Sequence, residues 1–108
     1  MRVGERVWVS GTGPVWPDGS CSDDAAEQTQ RCFDIIGAAL AEAGATMDDV
    51  VRTRMFLTAA VDADAVSSVH GQLFSKIRPA ATMVVVAALL DPRWKIEVEV
   101  DALIRSDH

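Results

Sequence analysis

Hydrophobic side chains recur along the chain at spacings that predict six secondary-structure elements. Alternating apolar residues and one dense valine-rich run predict four strands, over Arg6–Ser10, Asp49–Thr58, Ala81–Leu89 and Lys95–Ile104. Recurrence at three and four residues predicts two helices, one from an N-cap at Asp24 to a glycine cap at Gly44 and one over Ala63–Lys76. This order predicts an α+β fold, a single domain over residues 1–108 in which one mixed sheet carries both helices on one face.

The two faces of the predicted sheet present different kinds of residue. The face expected beneath the helices carries Val51, Thr53, Met55 and Leu57. The second face mixes opposite charges with apolar groups and carries Arg52, Arg54, Phe56, Glu97, Glu99 and Asp101. The run Ala81–Leu89 has no polar side to offer to water. We therefore expect another copy of the chain to cover the second face, with arginines and carboxylates paired within or across subunits.

The charge balance argues against nucleic acid as a partner. The chain has 108 residues and a formal net charge of -6, and its arginines and lysines are scattered. Arg52 and Arg54 form the densest pair of cations. Because an acidic surface repels phosphate backbones unless cations cluster locally, RNA and DNA are not expected to bind.

Cysteine usage and hydropathy predict a cytoplasmic location without a membrane partner. Cys21 and Cys32 form no CxxC pair, and neither has a nearby cysteine or histidine to complete a metal site. Two free thiols are typical of a reducing compartment. The segment Met1–Gly11 has no apolar run of signal-peptide length, and no stretch approaches the ~20 apolar residues that a bilayer crossing needs.

Five segments together resemble the RidA family, also called YjgF or the L-PSP endoribonuclease group. They are Val9–Pro14, Gln28–Gly44, Asp48–Leu57, Arg78–Ala80 and Ile96–Glu99, and they span nearly the whole chain in the family's order. The resemblance implies a chorismate-mutase-like fold in which three subunits form a barrel with the helices outside. It also implies interface clefts that bind small carboxylate-bearing metabolites without a metal or cofactor. Typical members hydrolyse reactive enamines and imines to keto acids and ammonia.

The family's catalytic elements have counterparts in this chain. The glutamate that positions the attacking water matches Glu97, and the Ser-Gly backbone site matches Ser10 and Gly11. The resemblance therefore implies that Glu97 is catalytic and that Ser10 and Gly11 bind substrate.

The family's carboxylate anchor, in contrast, has no counterpart. An arginine directly follows Pro-Ala in the family, and here that position is Ala81. The second pocket position, often a cysteine, is Met83, a polar cleft position is Ser67, and the chain contains no tyrosine to match the one near the family's N-terminus. Since a bidentate arginine–carboxylate pair is hard to replace, an amino-acid-derived imine has no obvious anchor here.

Several of these residues also have structural interpretations. Glu97 either activates water or pairs with Arg52 or Arg54. Arg54 is either a substitute carboxylate anchor or a member of a structural ion pair. Gly11 is a turn glycine first and a ligand contact second, as is Gly13.

Three residues outside the second face leave the same choice open. His70 lies on the apolar stripe of the second helix, so it is either a hydrogen-bonded core or interface histidine or a catalytic one. Ser67 is either a cleft residue or an ordinary exposed helical serine. Trp94 either lines a cleft mouth or packs against Pro92.

Three functions follow from the sequence. The first is a divergent enamine or imine hydrolase (a deaminase) acting on a substrate that is not an amino-acid derivative. The second is a homotrimer that binds a metabolite, or serves as a scaffold, without turnover, which the alanine at position 81 favours. The third is an endoribonuclease, against which the acidic balance argues.

Overall fold

The computed structural model describes residues 1–105 and contains two helices on a single sheet. The strands are β1 (Arg2–Val3), β2 (Arg6–Thr12), β3 (Val50–Leu57), β4 (Ala80–Val85) and β5 (Ile96–Leu103). The helices are α1 (Ala25–Glu42) and α2 (Ala63–Phe74), and 3-10 turns lie at Met47–Asp49 and Ala60–Asp62. Every predicted element is present, and the short β1 is an addition that the sequence did not predict.

The sheet has the order β1-β2-β5-β3-β4. All neighbouring strands are antiparallel except β3 and β4, which are parallel. A parallel pair needs a crossover connection, and α2 provides it between β3 and β4. The α+β fold with a mixed sheet and both helices on one face is therefore confirmed.

The core lies between the helices and the sheet, as the periodicity predicts. The inward side chains of β5, at Ile96, Val98, Val100 and Ala102, are 0–3% exposed. One prediction on β3 was wrong: Val50 is buried, whereas Val51 is 38% exposed. The pairing of β3 with β5 shifts register between Val50 and Arg52, and this irregularity turns Val51 outward.

The caps of α1 follow the predicted pattern. The Asp24 carboxylate accepts a hydrogen bond from the Glu27 backbone N–H at 2.9 Å, and Gly44 has the positive φ of 85° that ends many helices. The α1 stripe of buried residues faces the sheet, and the exposed side carries acidic, glutamine and alanine side chains. Neither helix within residues 1–105 has both the length and the apolar character needed to cross a membrane.

Strand β4 is shorter than predicted and is not covered on both sides within one chain. It ends at Val85, and the next N–H, that of Val86, donates to the carbonyl of Leu57, the residue at which β3 itself ends. Val84 is 41% exposed and Val85 55% exposed, and beyond the strand Leu90 is 96% exposed. An edge strand with this much exposed apolar surface is suited to burial against another protein surface.

Candidate functional site

The predicted site residues separate into two groups on opposite faces of the sheet. Glu97 lies on the second face, opposite Phe56 in the register of β5 with β3. Ala81 and Met83 lie on the helix side of the edge strand, where they pair with buried Thr53 and Met55. Each face therefore carries part of the predicted site, and one chain does not bring the two parts together.

The first group is organised by a β-bulge in β2. Val9 pairs with Val100 and Thr12 with Val98, so Ser10 and Gly11 together stand opposite the single residue Glu99. Such a bulge leaves backbone hydrogen-bonding groups outside the regular ladder. A β-carbon on Gly11 would lie 2.6 Å from Glu97 Oε2. The carboxylate lies directly against the backbone, so a larger side chain at position 11 would have to displace the tip of Glu97.

The Glu97 carboxylate is uncommitted among the described residues. It is half-buried, and it makes no hydrogen bond or ion pair within residues 1–105. The pairing with Arg52 or Arg54 that the sequence left open is not found. Arg52 donates instead to the Thr82 hydroxyl, and Arg54 bonds other carboxylates.

Arg54 takes part in an ion-pair network on the second face. Its Nη1 lies 3.5 Å from Glu99 Oε1 and 3.4 Å from Asp101 Oδ2, and all three side chains are about one third exposed. At this separation and exposure each pair contributes little to stability, roughly 0–1 kcal/mol. Arg54 also borders an open depression of about 500 Å³ that contains Ser10. Its role as an anchor stays a prediction.

The second group forms a separate small pocket between α2 and β4. Its volume is about 200 Å³, and its lining comprises Met55, Ser67, His70, Gly71, Ala81 and Met83. The three predicted residues Ser67, Ala81 and Met83 are therefore neighbours. His70 joins them because it follows Ser67 by three positions on α2, which places both side chains on one face of the helix.

His70 is held firmly at the wall of this pocket. Its Nε2 lies 2.9 Å from the hydroxyl of buried Thr53, and its ring contacts Phe74 and Phe33 at centroid distances of 4.7 and 6.0 Å. Burial lowers the pKa of His70 below its usual 6.5, because the charged imidazolium loses solvation there. The imidazole is thus neutral at physiological pH.

Protonation of His70 should reduce stability at acidic pH. Because the folded pKa is lower than that of the unfolded chain, the unfolded chain binds the proton more readily. The free energy of unfolding should therefore fall as the pH drops below 6.5, and this loss should level off below the folded pKa. Denaturant unfolding of wild type and His70→Phe over a pH series measures it. A difference between the two proteins that does not change with pH would contradict the expectation.

Trp94 packs on the backbone at the end of β2. A β-carbon on Gly13 would lie 2.5 Å from Cζ2 and Cη2 of the Trp94 ring, so the glycine forms the surface on which the indole rests. Within residues 1–105 the buried indole N–H has no hydrogen-bond partner. The close contact of Trp94 is with Gly13 rather than with Pro92, its expected partner in the sequence.

The two glycines should respond differently to substitution by alanine. In Gly11→Ala the new methyl group meets the flexible tip of Glu97, so we expect stability within about 1 kcal/mol of wild type. In Gly13→Ala it meets a rigid indole, and we expect a loss of about 1–3 kcal/mol. Urea unfolding followed by tryptophan fluorescence compares them, and equal losses would refute the assigned contacts.

The cysteines are not part of either group. Burial raises the pKa of the Cys32 thiol to about 12, and it also raises the pKa of half-exposed Cys21. No group of three or more His, Cys, Asp or Glu side chains in the described part of the chain is arranged to hold a metal ion.

The fold defines a class of small α+β proteins whose helices cover one face of a five-stranded sheet. The chain belongs to the family described as Endoribonuclease L-PSP, whose model matches residues 1–104. The resemblance to the RidA (YjgF) family is therefore confirmed. The chain is 33% identical over 91 residues to a RutC family protein of Pyrococcus abyssi, covering 82% of this chain and 72% of the relative.

Solved structures of the family share this fold. Rv2704 of Mycobacterium tuberculosis, a member of the YjgF/YER057c/UK114 family, is 43% identical, with a TM-score of 0.87 over 95% of this chain and 82% of its own. Escherichia coli TdcF, solved with bound serine, is 27% identical, with a TM-score of 0.90 over 97% of this chain and 85% of its own.

Proposed function

We propose that this protein is a cytoplasmic homotrimer whose inter-subunit clefts bind a small metabolite and hydrolyse a reactive enamine or imine. The observation that carries the proposal is the uncommitted Glu97 carboxylate beside the Ser10–Gly11 bulge. Ser67, Ala81 and Met83 lie on the opposite face, so only a second copy can bring them to Glu97. The exposed apolar surface of β4 supports the association of copies.

The proposed hydrolysis needs one group that accepts and returns a proton. Glu97 accepts a proton from water while the water oxygen bonds to the carbon of the protonated imine and forms a carbinolamine. The same carboxyl group then returns the proton to the amino nitrogen, which becomes an ammonio group. The C–N bond breaks as Glu97 accepts the hydroxyl proton, so the carbonyl forms and ammonia leaves. Backbone groups of the Ser10–Gly11 bulge, outside the regular ladder, orient the substrate by hydrogen bonding.

The substrate should differ from the amino-acid-derived imines of typical relatives. TdcF was solved with serine, whose carboxylate needs a strong hydrogen-bond donor. In this chain Ala81 occupies the position of the family's arginine, and no arginine or lysine lines the adjacent pocket. A small imine or enamine without a carboxylate is the substrate class that these residues favour.

Ammonia release from freshly generated imines tests the proposal. We expect the protein to accelerate hydrolysis of carboxylate-free imines more than that of 2-aminoacrylate. If the protein accelerated hydrolysis of none of the imines in a broad panel, the proposed enzymatic function would be refuted. A ligand bound in the cleft without turnover would then support the alternative, a metabolite-binding or scaffold trimer, which the absence of arginine at position 81 favours.

A further inference from the structure

We propose that His70 contacts the ligand in the small pocket between α2 and β4, and that the ligand group bound there is uncharged. This inference rests on the proposed function and deepens it by naming the substrate class. The proposed hydrolysis does not use His70. Its placement in the fold nevertheless makes it one of two polar side chains on the wall of an otherwise apolar pocket, the other being Ser67.

The short side chain of Ala81 leaves His70 accessible. Ala81 is the register neighbour of Thr53, and Thr53 is the residue that His70 bonds through Nε2. A long side chain at position 81 would extend over this pair from the edge strand. With alanine there, the pocket reaches the imidazole directly.

The contacts of His70 preorganise it for a ligand. Thr53 fixes Nε2, and the rings of Phe33 and Phe74 hold the imidazole plane from two directions. Within residues 1–105 the other ring nitrogen, Nδ1, has no hydrogen-bond or ion-pair partner. A fixed polar atom of this kind gives a bound molecule its orientation at little entropic cost.

The lining of the pocket selects against charge. Met55, Ala81 and Met83 are apolar, and no cationic side chain lines the pocket. Burial keeps His70 neutral, so it offers a hydrogen bond but no positive charge. A carboxylate would lose its hydration here without an ionic partner, whereas an amide, a hydroxyl or a carbonyl would keep a hydrogen bond.

Two probes of the same shape test the inference on the 108-residue chain. They are 2-methylpropanamide, which is neutral, and 2-methylpropanoate, which carries a carboxylate. The imidazole NMR signal that disappears in His70→Phe reports binding. We expect the amide to shift this signal saturably at millimolar concentration and to bind at least about tenfold more tightly than the carboxylate. We expect Ala81→Arg to reverse this preference, because the guanidinium pairs with the carboxylate.

Matched variants separate contact from folding. His70→Phe keeps the aromatic packing but leaves the Thr53 hydroxyl without its partner, so His70→Phe/Thr53→Val serves as the second variant. The variants lack the His70 signal, so saturation-transfer NMR on the resonances of the probe itself measures binding to them and to wild type. Amide binding should be lost in both variants. Ser67→Ala should weaken amide binding, and Ser68→Ala, its exposed neighbour outside the pocket lining, should not.

Each outcome distinguishes this inference from the proposed function. Equal or tighter binding of the carboxylate to wild type, an unshifted His70 signal with both probes, or undiminished amide binding in the His70 variants overturns the inference. Imine turnover that depends on Glu97 would leave the proposed function standing in all three cases. Amide binding at His70 in a protein without turnover would support the ligand contact of His70 and refute the proposed hydrolase function.

Discussion

Replacing Glu97 with glutamine is expected to slow ammonia release by about 100-fold or more, the usual contribution of a positioned acid–base group. Glutamine keeps the size of the side chain but cannot accept the proton of the attacking water. The fold should remain intact, because Glu97 is half-buried and makes no hydrogen bond or ion pair within residues 1–105. Single-turnover and steady-state ammonia assays measure the effect, and urea unfolding checks the stability.

A charge-matched control isolates the role of the carboxylate. Glu42→Gln removes the same charge from the exposed last turn of α1, far from the bulge, and should leave turnover at the wild-type rate. If Glu97→Gln retained more than about a tenth of wild-type activity, Glu97 would not be the proton acceptor.

Replacing Val84 with glutamate is expected to dissociate the assembly. Val84 lies on β4 opposite Phe56, on the sheet face that we expect sister copies to cover, and it is 41% exposed in the isolated chain. A single chain therefore tolerates glutamate there, whereas an interface would have to bury an unpaired charge at a cost of about 3–5 kcal/mol. This cost raises the dissociation constant of the assembly by at least about 100-fold. Light scattering at micromolar concentration measures the mass.

The same substitution at an outlying position provides the comparison. Val61 is 86% exposed in the turn before α2, so Val61→Glu should leave the mass of the assembly unchanged. A wild-type protein that is a well-folded lone chain at this concentration would refute the trimer. An unaltered mass for Val84→Glu would refute the placement of the interface.

Local patterns were sufficient to predict most of the fold. From Ile96 to Ala102, strand β5 alternates between buried apolar residues and charged ones, and α1 has its apolar stripe within the helix and its capping residues next to it. The exposure of Val51 could not be predicted, because it depends on how β3 pairs with β5. The end of β4 was also missed, since the valine-rich run continues while its partner strand stops at Leu57.

The residues of the candidate site remain a prediction, and their arrangement could not be predicted from the sequence. Resemblance to the family identified Glu97 and Ser67, yet alternation along a strand does not reveal that Gly11 lies against the Glu97 carboxylate. That contact arises from a bulge, which is a property of two paired strands. Helical spacing placed His70 on the apolar side of α2, and only the neighbouring edge strand shows that a pocket opens beside it.

The proposed trimer would make the chemistry a collective property, because the two groups of predicted site residues lie on opposite faces of one sheet. Glu97 of one copy and Ser67 of another would contact the same substrate molecule. The rate of hydrolysis should therefore fall on dilution faster than the protein concentration does. Two different defective chains, one damaged at Glu97 and the other at the Ser67 pocket, should complement each other once their subunits exchange. In some mixed trimers, one inter-subunit cleft would then contain an intact Glu97 from one chain and an intact Ser67 pocket from another.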